Sequence, residues 1–196
     1  MFRPGDDLVY RYAATADDFA QIHRLNHRTF VEEIPQHTGD GTGLLVDKFH
    51  EKNCYLIALK QNRVVGMLSA HDQPPFSVAD RLPDPSILVE SNVRPVEIRL
   101  LAVEPSERNS PVIMGLVWEL YQHARAGGYT HFIISGVLEQ QKFYAHLGFE
   151  PLGPPVGDVA KFVPMWLPLA KLEVTMGRVI EILSRRQHRT TTGATT

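Results

Sequence analysis

Apolar residues recur along this chain with two alternating periods, and the switches between those periods mark out the elements. Leu8 to Ala13 alternates as a first strand. From Thr15 the period lengthens, and Phe19, Ile22, Leu25 and Phe30 fall on one helical face. Thr15 is suited to cap that helix, Asp17 and Asp18 sit in its first turn where the dipole favours acids, and Pro35 ends it. Positions 35–43, PQHTGDGTG, read as a loop, followed by a short helix over 47–51. Two apolar runs, 53–59 and 64–70, joined by a polar tetrapeptide, predict an antiparallel hairpin. Cys54, Leu56 and Ala58 take one face of it, and Tyr55, Ile57 and Leu59 the other. Pro74, Pro75, Pro83, Pro85 and Pro95 exclude long regular structure from 73–95 and leave room for one turn of helix near 77–82.

The stretch VEIRLLAVEPSERNSPVIMGLVWELYQHARAGG, residues 96–128, carries the most information. Val96 to Val103 is apolar enough for a strand covered on both faces, and Ile113, Leu116, Val117, Leu120 and Ala124 then recur at helical spacing. Pro111 suits the first helical position, and Gly127 with Gly128 supplies a stop. A strand feeding a helix N-terminus in this way makes an anion site, with Arg108 adding a full charge beside the free amides. Downstream, 129–135 reads as a strand and 138–147 as a short amphipathic helix closed by Gly148. A further strand starts at Phe149, a last one spans 162–169, and a helix spans 170–183. The polar remainder, 184–196, reads as a tail or linker after a single domain over 1–183.

Composition narrows the class. The chain has 196 residues, 43% hydrophobic and 21% charged, which suits one globular domain with a substantial core. Its single cysteine, Cys54, excludes an internal disulfide and falls in an apolar strand, where a buried thiol is expected. The N-terminus lacks an apolar leader and no run reaches the length of a membrane span, so a cytoplasmic location is expected. A net charge of −2 with dispersed basic residues argues against nucleic acid as a partner. His37, Asp40 and Asp47 match no standard metal-ligand spacing; they read as solvated loop residues, and no metal is expected.

Two motifs carry a resemblance. Val103-Glu104-Pro105 followed by Arg108, and Gln141 to Phe149 with Tyr144 five residues before Phe149, resemble the two signatures of the GNAT (GCN5-related) N-acyltransferase superfamily. Asn109 and Pro111 stand where that family's phosphate loop has glycines. The resemblance implies an α/β fold with a mixed, mostly antiparallel sheet splayed at the cofactor cleft and flanked by helices on both faces. It also implies an acetyl- or acyl-coenzyme A co-substrate, or an acyl carrier protein, and a small-molecule amine as acceptor. Donor-binding positions are then Leu101, Ala102, Val103, Arg108, Asn109, Ser110, Val112 and Ile113. A backbone amide near 101–103 would polarise the thioester carbonyl, and Tyr144 would protonate the leaving sulfur.

Glu97 and Arg99 share one face of an otherwise apolar strand, and two buried ions are costly unless they pair or face a cleft. They read either as a structural ion pair or as site residues. In the second reading Glu97 takes the amine's proton, and Arg99, with Phe30 and His71, contacts the acceptor. His71 reads alternatively as a surface histidine at a strand end. The run from His23 to Glu32, with Asp47 and Glu97 to Leu100, resembles the autoinducer and long-chain N-acyl amino acid synthases, although Asn26 stands where the autoinducer synthases have arginine. The competing function is a catalytically silent domain of the same fold that binds a ligand or regulates a neighbour. The oligomeric state, a homodimer included, is left open.

Overall fold

The computed structural model describes residues 8–158 and 160–174. Strands β1 (Leu8–Tyr12), β2 (Cys54–Lys60), β3 (Arg63–His71) and β4 (Pro95–Val103) form an antiparallel half-sheet in sequence order. β5 (His131–Val137), β7 (Phe162–Pro168) and the short β6 (Glu150–Pro151) form the other half. β4 and β5 are the parallel neighbours, and they pair only at Pro95, Val96 and Glu97 with His131, Phe132 and Ile133. Beyond that point β5 stays bonded to β7 while β4 stays bonded to β3, so the sheet opens into a wedge.

Helices cover both faces. Helix α1 (Ala16–His27) carries Ile22 and Leu25 onto Tyr55, Ile57, Leu59, Met67 and Leu100. On the opposite face, α2 (Val112–Ala126) buries Leu116, Val117, Leu120 and Ala124 against Leu56, Leu68, Val103 and Phe132, and α3 (Gln141–Leu147) adds Leu147. Each such large side chain contributes about 1.5–3 kcal/mol by leaving water, which makes these faces the main source of cohesion. The alternation expected in β2 holds, because Leu56 and Ala58 face α2 while Tyr55, Ile57 and Leu59 face α1. Local signals act as expected at the ends. Thr15 and Asp18 form a reciprocal capping box, Gln61 and Asn62 both adopt positive φ in the two-residue β2–β3 turn, and Gly128 ends α2 at φ 71°.

Several expectations need correction. Helix α1 ends at His27 and continues as a π-helical turn, Arg28–Glu33, closed by the Ile34 amide on the Thr29 carbonyl, after which the Gln36 and His37 amides both donate to the Phe30 carbonyl. In place of the helix expected over 47–51, residues 48–52 form turns, and a second 3-10 turn, Pro85–Val89, follows the expected one at Ala79–Arg81. Pro111 is the N-cap of α2, one position before the helix. β5 begins two residues later than its apolar run. Cys54 is exposed, because it opens β2 at the sheet's end, beyond the cover of the helices. Residues 169–174 are helical, and the rest of the expected helix and the tail lie outside the described residues. Among the described residues no helix is long and apolar enough to cross a membrane.

Candidate active site

The wedge is shaped by one extra residue. Ser69 pairs with Leu100 and Ala70 with Ile98, so Arg99 is a bulge that turns its side chain into the opening. The distortion therefore lies at Arg99, upstream of the expected 101–103. Its effect on the backbone can be followed by alternation. The Leu100 amide donates to Ser69 Oγ at 3.2 Å and the Glu104 amide to the Val65 carbonyl at 2.9 Å, both toward β3. The amides of Leu101 and Val103 consequently face the open side.

Arg99 is held by a buried polar network. Its Nη2 and Nε donate to the two Asp47 oxygens at 3.1 and 3.2 Å, and its Nη1 donates to Ser77 Oγ. Asn53 donates to Asp47 at 2.8 Å, and the guanidinium lies 4.8 Å from the Phe49 ring centre. Ser77 Oγ in turn donates to Glu97 at 2.6 Å, and the Ser77 and Val78 amides donate to the same carboxylate at 2.8 and 3.0 Å. His71 Nε2 lies 3.1 Å from Glu97 but out of line for a good hydrogen bond, and its ring is packed between Phe49 and Phe76.

Glu97 is fully buried. Burial by itself pushes its carboxyl up, yet His71, Ser77 and the nearby Arg99 together outweigh it and leave it below the ordinary carboxylate range. Asp47 shows the same balance, with Arg99 and Asn53 overcoming desolvation. Asp47 is thus a buried partner of Arg99, against the expectation of a solvated loop residue, while Asp40 is exposed and bonds Thr42. Among the described residues no group of three or more His, Cys, Asp or Glu side chains is placed to hold a metal ion.

Two cavities meet at this network. The first, about 350 Å³, is lined by Phe30, Leu101, Val103, Arg108, Ile113 and Tyr144. The second, about 360 Å³, is lined by Asp47, Ser77 and Ile98, with Lys48 and Arg81 on its walls. Gln36, Arg99, Leu100 and Ser135 line both. A smaller apolar space of about 60 Å³ lies within the wedge itself, between Ile98 and Leu101 of β4 and Ile134 of β5, and Arg99, Ser135 and Tyr144 border it too. Tyr144 is half-buried, and burial pushes its hydroxyl up against the weaker pull of the Val137 amide, so it is protonated at neutral pH and able to donate. Its ring sits over Gly136, where an added Cβ would fall 2.6 Å from the ring. Only glycine leaves room for the tyrosine there.

The loop before α2 is largely satisfied by its own atoms. The Ser110 amide donates to the Glu107 carbonyl at 3.0 Å, the Val112 amide to Ser110 Oγ at 3.3 Å, and Pro111 has no donor. Ile113 and Met114, at the second and third helical positions, keep amides without intrahelical partners. Arg108 makes a two-pronged pair with Glu33 and donates Nε to the Val103 carbonyl at 3.2 Å.

Of the expected site residues, Phe30, Arg99, Leu101, Val103, Arg108, Ile113 and Tyr144 come together around the first cavity. Ala102 and Val112 are buried in the flanking cores, Asn109 and Ser110 form the turn, and Glu97 and His71 sit behind Arg99 and Ser77, lining neither cavity. Reasoning from sequence missed Ser77, Arg81, Gln36, Lys48 and Ser135. Ser135 had a signal, since it is the polar residue that interrupts the apolar run of β5.

The family model for the N-acyl amino acid synthase FeeM matches residues 21–166, most of the chain. No curated protein sequence matches it. Among solved structures, FeeM from uncultured soil microbes is 14% identical, covers 87% of this chain and 94% of its own, and superposes with a TM-score of 0.69. BjaI, a coenzyme-A-dependent acyl-homoserine lactone synthase, is 22% identical over 89% of this chain and 90% of its own, with a TM-score of 0.65. An aminoglycoside 6'-N-acetyltransferase complexed with coenzyme A is 15% identical over 82% and 97%, with a TM-score of 0.59. These likenesses establish the GNAT fold. The match along most of the sequence establishes the rest: the chain belongs to the N-acyl amino acid synthase FeeM family and is an N-acyltransferase that moves an acyl group from a pantetheine thioester to an amine.

Proposed function

We propose that the thioester donor lies in the cavity lined by Phe30, Arg108 and Tyr144, and that the acceptor is an amino acid held in the neighbouring one. The observation that carries this reading is the shared wall of the two cavities, which would bring a donor carbonyl and an acceptor amine together beside Arg99, Leu100 and Ser135. Lys48, Arg81 and Arg99 line the acceptor cavity against a single carboxylate, Asp47, which Arg99 already neutralises. Such a surplus of cations suits an acceptor bearing its own carboxylate.

In this reading the neutral amine attacks the carbonyl carbon while the Leu101 and Val103 amides stabilise the charge that develops on its oxygen; the carbon–sulfur bond breaks as Tyr144 delivers a proton to the departing sulfur, and the proton shed by the amine passes to solvent, from which Tyr144 is reprotonated. Glu97 accepts from the Ser77 hydroxyl and from the Ser77 and Val78 amides, so its part is to hold Ser77 and Arg99 in place. Ordinary acetyl transfer needs no apolar space beyond the carbonyl, whereas the wedge offers one lined by Leu68, Ile98, Leu101 and Phe132. At about 60 Å³ it holds roughly two methylenes, each contributing about 0.8 kcal/mol, so acyl thioesters a few carbons long outcompete acetyl, and longer chains gain further only where the strands part to admit them.

A chain-length series of thioesters, assayed with a panel of free amino acids and their amides, tests donor and acceptor together. A flat series would remove the acyl preference, and equal rates for acids and amides would remove the carboxylate contact. Tyr144→Phe lowers kcat by about ten- to a thousandfold with little change in Tm; full activity would make Tyr144 a packing residue.

A further inference from the structure

The donor-loop arginine is not presented to solvent as an uncompensated charge. Both ends of its guanidinium are taken by Glu33, whose second oxygen lies 2.6 Å from Nη2. Glu33 belongs to the π-helical turn that also carries Thr29 and Phe30 into the same cavity. Two further carboxylates beside the loop are paired as well. Arg28 pairs with Glu104 at 2.5 Å, and Lys60 pairs with Glu107 at 3.2 Å. With Arg108 and Glu33 this makes three cations facing three carboxylates around a loop that has lost one amide to Pro111 and committed two more to itself.

The consequence depends on the donor's charge. Pantetheine has no phosphate, the arm on a carrier protein has one phosphodiester, and coenzyme A has a diphosphate and a further phosphate. The last of these has the most to gain from a cation at the loop, and its phosphates must compete with a carboxylate already seated on Arg108.

We infer that Glu33 is a donor-selecting residue: by occupying Arg108 it withholds the loop's cation from the phosphates of coenzyme A and biases the enzyme toward donors that carry fewer charges. This rests on the donor assignment proposed above. Because Glu33 and Arg108 are both half-exposed, solvent moderates the effect, and a several-fold bias is expected.

The experiment compares kcat/KM for one acyl group carried on coenzyme A and on pantetheine, with calorimetric binding of free coenzyme A as a readout independent of turnover. Glu33→Gln raises the ratio of the coenzyme A ester to the pantetheine ester by about three- to tenfold, and the gain shrinks as salt is added. In an Arg108→Gln background the same Glu33→Gln change leaves the ratio unmoved, since the cation it would release is absent. A purely structural role for Glu33 would alter both esters alike and would persist without Arg108. An unchanged ratio in Glu33→Gln, or an equal gain in both backgrounds, overturns the inference while leaving the acyltransferase assignment intact. If neither ester is bound or turned over by the unaltered chain, the donor assignment falls and this inference falls with it.

Discussion

The two sides of the wedge are built from the same kind of contact under opposite conditions. Around Arg99, the carboxylates of Glu97 and Asp47 are almost fully enclosed, with side chains 1% and 3% exposed, and each is met by several donors. Around the loop before α2, Arg108 and Glu33 stand 37% and 40% exposed, and Arg28 is nearly half exposed beside Glu104. Enclosed pairs are expensive to break because each partner left behind is stranded away from water, whereas half-solvated pairs exchange readily for water or an incoming ion. The first arrangement suits a wall that must keep its shape, and the second a rim whose charges water and ions can reach.

The largest expected effect comes from breaking the wall. Asp47→Ala leaves Arg99 enclosed without its main partner, and should cost about 3–5 kcal/mol of stability by chemical denaturation. A loss below about 1 kcal/mol would mean that Arg99 finds water, and that its surroundings are as solvated as those of Arg108.

Acid titration sharpens the contrast at intermediate size. Glu97 and Asp47 both have folded-state values below their unfolded ones, so their contribution is fully present above about pH 4 and is lost as pH falls through the folded values. Asp18, held far down by Arg11, adds to the same limb. Glu97→Gln removes one of these groups and should flatten the fall in stability below pH 4 by up to one proton, about 1.4 kcal/mol per pH unit. An unaltered slope would show that Glu97 titrates as it does in the unfolded chain.

The smallest effect belongs to the exposed loop before α2. Arg28→Ala removes a half-exposed pair with Glu104 and should change stability by less than about 1 kcal/mol. A larger loss would erase the distinction between the two sides.

Much of this was readable in the chain. The step from the apolar run of β4 to the helical spacing of α2 was plain, and so was the oddity of Glu97 and Arg99 among aliphatic neighbours, because both are local patterns. What could not be read depends on distant partners. Asp47 looks like any loop acid until Arg99, 52 positions away, is placed beside it, and Glu33 meets Arg108 across 75 positions. The π-helical turn was invisible because Thr29 and Phe30 continue the spacing of α1 well enough. Cys54 failed for a different reason: alternation assigns a face but does not say where the covering helix stops.

The parting of β4 from β5 also has a consequence in time. Leu101 and Val103 lie in the middle of a seven-stranded sheet, yet their amides face the gap with no strand opposite them. Their hydrogens should therefore trade with deuterium at the pace of a surface loop, while those of Leu100 and Glu104, one residue away on either side, are bonded toward β3 and wait for the sheet to open. A thioester carbonyl seated between the strands would close that difference, and the slowing of two amides out of four would time its arrival.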